Sequence, residues 1–171
     1  MAREGAPTVL LPGLGLPSPP ADPHPKIARM IELWLSLAPG PGLLPARQQF
    51  DPAAVPELLP NLWLIDVLDQ PPPRFRCRLI GGAMSKAGAK IRKGGYLDDP
   101  EVTIDVDHVA RVLGAVASTG RPDWSRGPPV LRHDKFVDSL ERVLLPFATD
   151  GRTVDLIMGV TLFYTLDGRE V

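Results

Sequence analysis

Residues 50–68, FDPAAVPELLPNLWLIDVL, decide the fold. Asp51-Pro52 is a turn signal, and the spacing predicts a short helix over 52–59, with Asp51 as its cap and Pro52 in its first turn. Pro56 allows little more than one turn after it. Leu62 to Leu68 is then apolar except for Asp66. At a period of two, Leu62, Leu64 and Asp66 share one face of a strand over 61–67, and Trp63, Ile65 and Val67 share the other. Both faces are mostly apolar, the pattern of a strand covered on both sides.

Working toward the C-terminus, the prolines 71–73 make a connector, and Arg74 to Ile80 reads as a second strand. Strict alternation puts Arg74, Arg76 and Arg78 on one face and Phe75, Cys77 and Leu79 on the other. Gly81-Gly82 and Gly94-Gly95 bracket a small, basic stretch, 83–93, read as a short helix or loop. Asp105 to Thr119 has the Asp start and trailing Gly120 of a helix. Its apolar stripe is Val106, Val109, Ala110, Val112, Leu113, Val116 and Ala117, with Asp107, His108 and Arg111 off the stripe. Three further strands are expected: Pro129 to Arg132, Leu140 to Phe147, and Thr153 to Thr165. A turn at His133 to Lys135 joins the first two, and Asp150-Gly151 gives the last two a hairpin turn.

Working toward the N-terminus, 26–38, KIARMIELWLSLA, reads as a helix ended by Pro39-Gly40-Pro41-Gly42. Its apolar residues cover about twice the arc that one buried stripe needs. One side is expected to cover the sheet, touching Trp63, Ile65 and Phe163. The other side is expected to pair with a second copy of the helix through Ile31 and Leu35, making a homodimer, with Leu33 and Leu37 as the alternative margin. Residues 1–25 hold seven of the 21 prolines and read as a disordered or extended tail, leaving 26–171 as one domain.

Composition bounds the function. The chain has 171 residues, 44% of them hydrophobic, with 19 basic and 20 acidic residues and a net charge of −1. Such a balance offers no electrostatic case for nucleic acid or an anionic membrane. A single cysteine, Cys77, excludes an internal disulfide framework and any multi-cysteine zinc site, and a reducing cytoplasmic setting is expected. Apolar runs fall short of the length that spans a bilayer. Thr8 to Leu16 is apolar, but Glu4, Pro12, two glycines and the lack of a cleavage pattern argue against a secretory signal.

The resulting order is helix, β, β, short helices, a longer helix, β, β, β. That is α+β with an antiparallel sheet. It resembles the PAS fold, and five segments sharpen the likeness: Asp51 to Val67, Arg74 to Gly81, Gly94 to Leu97, Gly120 to Pro122, and Leu144 to Gly159. Together they look like a bacterial PAS-like family of stand-alone sensory domains over about residues 27–165. The resemblance implies a five-stranded antiparallel sheet in which the 62–67 strand lies beside both the 74–80 strand and the C-terminal strand. It also implies sensing, with a small molecule held between the sheet and the intervening helices, or a partner protein engaged. Leu79, Met84, Val109, Leu113, Val143, Leu145, Leu156 and Met158 are expected to line that pocket. The chain ends soon after its last strand, so a signal is expected to leave through self-association or a partner protein. A ligand-free interaction adaptor is the alternative.

Other chemistry is weaker. Haem would need His108, which lies off the apolar stripe beside Asp107 and Arg111, so no cofactor is expected. His24 falls in the tail and His133 in a turn. Cys77 lies on a strand and reads as a small buried hydrophobe rather than a flavin-reactive thiol. Neither GLGL at 13–16 nor GGAMSKAG at 81–88 has the spacing of a phosphate-binding or dinucleotide-binding loop. Ser85-Lys86 are adjacent, without acyl-transfer spacing. The carboxylates Asp98, Asp99, Asp105 and Asp107 read as solvated or capping positions, and no enzyme activity is expected. Lys86, Lys90, Arg92 and Lys93 read as a solvated loop, or as a contact for an acidic partner. Arg74, Arg76 and Arg78 read as a solvent face, with one of them paired to a carboxylate such as Asp66, or as a contact for an anionic ligand or acidic partner.

Overall fold

A computed structural model describes residues 22–68, 72–129 and 137–171. The elements are α1 (Pro25–Ser36), three 3-10 turns (Arg47–Gln49, Pro52–Ala54, Pro56–Asn61), β1 (Leu62–Leu68), β2 (Arg74–Ile80), α2 (Gly82–Lys86), α3 (Val106–Thr119), β3 (Asp123–Gly127), β4 (Ser139–Phe147) and β5 (Leu156–Tyr164). The five strands form one antiparallel sheet in the order β2-β1-β5-β4-β3. β1 therefore lies between β2 and β5, as its two-sided apolar pattern requires.

Several boundaries differ from expectation for local reasons. Residues 52–59 form two 3-10 turns rather than one helix, because Pro56 and Pro60 each remove an amide donor. α1 stops at Ser36, with Leu37 as its cap. β3 lies at Asp123–Gly127, and the strand expected at Pro129 to Arg132 falls, beyond Pro129, outside the described residues. Residues 130–136, with the expected turn at His133, lie outside the described residues. α3 has the expected ends: the Asp105 carboxylate accepts from His108 N, and Gly120 takes a left-handed φ of 65°.

A β-bulge breaks the alternation of β2. Leu64 pairs with Leu79 but Ile65 pairs with Cys77, leaving Arg78 as the extra residue. Phe75 and Cys77 stay buried, whereas Leu79 is 39% exposed. Beyond the edge of β2, Leu97 N donates to Phe75 O and Cys77 N to Gly95 O, so the 94–97 segment covers that edge.

The pairing register assigns every strand side chain to one of two faces. Trp63, Ile65 and Val67 share a face with Ile157, Gly159, Thr161 and Phe163 of β5, and with Leu140, Arg142, Leu144 and Pro146 of β4. α3 packs over this face, because its Gly114 and Ala117 border a groove with Val67, and its Val106 and Ala110 border another with Phe75. On the opposite face are Leu62, Leu64 and Asp66 of β1, Glu141, Val143, Leu145 and Phe147 of β4, and Leu156, Met158, Val160 and Leu162 of β5. α1 packs there: His24 N donates to Glu141 Oε1 at 2.9 Å, and the His24 ring meets Tyr164. The expected contact of α1 with Trp63, Ile65 and Phe163 is thus incorrect, since those side chains point to the α3 side. Alternation defines two faces, but both are apolar, so the sequence carries no label for which helix covers which.

Pro146 shows why a proline is tolerated inside β4. The last rung between β3 and β4 is Asp123 with Leu144, and Phe147 O accepts from Asp155 N on the β5 side. Pro146 therefore turns its ring nitrogen and its carbonyl toward the side where β3 has already ended, so its missing N–H costs no ladder bond. Its carbonyl accepts instead from Trp34 Nε1 at 2.9 Å, which fixes the end of α1.

Candidate functional site

Seven of the eight residues expected to line one pocket are buried: Met84, Val109, Leu113, Val143, Leu145, Leu156 and Met158. They do not come together. Val109 and Leu113 lie on α3, whereas Val143, Leu145, Leu156 and Met158 belong to the sheet face under α1. The sheet itself separates the two groups. Leu79 pairs with Leu64 on the α1 side and is turned outward by the bulge. The side chains able to face α3 from the strands are the complementary set, headed by Trp63, Ile157, Leu144 and Phe163.

That α3-side face is apolar except for one row across three strands and for Asp123, opposite Leu144 in the next row. Thr161 of β5 pairs with Arg142 of β4, which pairs with Ser125 of β3. The hydroxyl oxygen of Thr161 accepts from Trp63 Nε1 at 2.9 Å. Arg142 is 7% exposed, and its nearest carboxylate oxygen is Asp123 Oδ2, 3.5 Å from Nη2. Its Nε has no hydrogen-bond partner among the described residues. Burial makes the guanidinium hold its proton less tightly than an ordinary arginine, and Asp123 offsets part of that effect.

Ion pairs elsewhere are better satisfied. On the α1 face, Glu141 is 2% exposed and accepts from His24 N, Trp124 Nε1 (3.0 Å) and Arg126 Nη2 (2.9 Å). Asp66 is buried and meets both Arg76 (2.9 Å to Oδ2) and Arg78 (2.7 Å to Oδ1), although the Arg78 contact is off the hydrogen-bond axis. Arg74 pairs with Asp98 and stacks on the Tyr96 ring. The 74–78 arginines are therefore engaged with carboxylates of this chain. In the basic stretch, Arg92 pairs with Glu101. The sequence offers one signal for these buried ions: Glu141-Arg142 is a charged doublet inside the apolar strand SLERVLLPF, one charge for each face.

Open grooves flank α3. One of about 920 Å³ runs between the C-terminal half of α3, the end of β1 and the β4–β5 turn, with Val67, Gly114, Ala117 and Val154 among its walls. It adjoins a second, of about 480 Å³, walled by Phe75, Leu97, Val106 and Ala110. Both contain Pro73 and Gly114.

Of the histidines, His24 caps α1, its Nδ1 accepting from Lys26 N, and His108 is half-buried in the first turn of α3. His133 lies outside the described residues. No three His, Cys, Asp or Glu side chains among the described residues converge to hold a metal ion. Cys77 is buried, and burial, followed by the nearby Asp66 charge, pushes its thiol pKa up. No helix among the described residues is long and apolar enough to cross a membrane. No protein-family model, curated protein or solved structure matches the chain.

Proposed function

We propose that the chain is a PAS-like sensory domain that binds a small molecule between α3 and the sheet and signals in the cytoplasm. The signal leaves through self-association of α1 or through a partner protein. The observation that carries this reading is the sheet order β2-β1-β5-β4-β3, with the helical segment inserted between β2 and β3 and α3 laid over one face. That order puts β1 between β2 and β5, as the resemblance implies. It also supports a ligand layer lined by α3 and by the strand residues that share a face with Trp63. Native mass spectrometry of freshly purified protein tests it. A retained small molecule is the expected result, and a persistently empty protein with a high melting temperature overturns the sensory reading.

A ligand-free interaction adaptor is the second reading, favoured by the apolar grooves beside α3. An open apolar groove suits a protein segment, whose side chains fill it without enclosure. Under that reading the protein is empty, and substitution of Ala117 by a bulky residue abolishes capture of the partner.

A further inference from the structure

We propose that Arg142 anchors a small monocarboxylate ligand on the α3-side face of the sheet, with the hydroxyls of Thr161 and Ser125 flanking it. The inference deepens the sensory reading by naming the ligand class, and it rests on that reading.

A guanidinium offers five N–H donors, and its Nε and Nη2 form a fork that matches the two oxygens of a carboxylate. Three other arginines of this chain bring Nε and Nη2 together to one carboxylate: Arg74 on both oxygens of Asp98, and Arg76 and Arg126 on a single oxygen of Asp66 and of Glu141. The side chains of all three are more than 40% exposed. Arg142 has a 9% exposed side chain, the least of the four, so it has the most to gain from full pairing, yet its fork is not filled. Nη2 reaches Asp123 only at 3.5 Å, and Nε is unpartnered among the described residues. A buried charge without its hydrogen bonds is costly and persists where something else completes the site.

The neighbours fit a carboxylate. Thr161 receives the Trp63 indole N–H on its oxygen, and its own O–H proton has no acceptor among the described residues. Ser125 stands on the other side of Arg142. Arg126, the other arginine of the β3–β4 pair, is on the opposite face and is engaged by Glu141. Asp123 already shares the Arg142 charge through Nη2, so a bound carboxylate takes the unpartnered Nε and competes with Asp123 for Nη2.

The experiment titrates the full-length protein with propionate, using chloride and inorganic phosphate at matched ionic strength as controls. It follows the Arg142 Nε–H resonance by NMR and affinity by calorimetry. The expected result is a saturable shift with propionate alone. Arg142→Met is expected to lose at least about tenfold in affinity, because the charge-assisted pair is removed. Asp123→Asn is expected to bind propionate more tightly, because it removes a carboxylate that competes for Nη2. No saturable shift in the wild type, an equal response to chloride or phosphate, or weaker binding in Asp123→Asn would each overturn the proposal. If Arg142→Met fails to fold, the wild-type titration and Asp123→Asn decide it. A co-purified ligand without a carboxylate would overturn this inference while leaving the sensory reading standing.

Discussion

The indole of Trp63 lies across Gly159 on the neighbouring strand, and a methyl group built on that glycine would sit 2.1 Å from the ring. The same indole donates to Thr161 two residues on, so the ring is held at both ends. A large ring thus occupies the centre of the sheet because the residue opposite has no side chain.

Gly159→Ala is therefore expected to destabilise the fold by roughly 3 kcal/mol, since the ring must leave its rotamer and its hydrogen bond. Chemical denaturation measures it. In a Trp63→Leu background the same change should cost much less, because the two residues share one contact. Equal costs in both backgrounds would refute the argument.

Glu141 ties the start of α1 to the sheet. Glu141→Ala leaves the Trp124 indole N–H and the His24 amide without their acceptor, at about 1–3 kcal/mol. Hydrogen exchange should quicken in the first turn of α1 while β1 and β5 stay protected. Uniform loss of protection would show that Glu141 supports the whole fold instead.

Cys77 is buried, with its thiol pKa raised chiefly by that burial. Iodoacetamide at mildly alkaline pH should label it slowly in the native protein and at the rate of an ordinary thiol in denaturant. Rapid native labelling would mean that the β2 edge opens readily.

His108 offers its backbone amide to Asp105 at the start of α3. Purified protein is expected to be colourless, with no change in spectrum or metal content in His108→Ala. A Soret band lost in that variant would make haem sensing the leading function.

α1 buries Ile27, Met30 and Trp34, while Ile31, Leu33, Leu35 and Leu37 are only partly covered. If this remaining apolar surface pairs two copies of the helix, Leu35→Asp, and in the same way Ile31→Asp, yields a folded monomer with unchanged far-UV circular dichroism. Light scattering measures the mass. A wild-type monomer at tens of micromolar would assign those side chains to packing within one chain.

Much of this fold was legible in local pattern. The apolar run 62–68 announced a strand with two covered faces. Asp105 and Gly120 marked the ends of α3, and Asp150-Gly151 marked the turn between β4 and β5. These features depend on neighbours a few residues away, so period, caps and turns suffice to read them. The tertiary structure alone decided which helix covers which face. Val143, Leu145, Leu156 and Met158 alternate as well with one helix above them as with the other, and only the pairing register and the anchoring of α1 at Glu141 and Pro146 put them under α1. The bulge at Arg78 was equally hidden, because one extra residue in a ladder is a property of two strands together. So was the row Thr161–Arg142–Ser125: its members are far apart in the chain and meet only when β5, β4 and β3 align, burying a charge that the isolated sequence would leave in water.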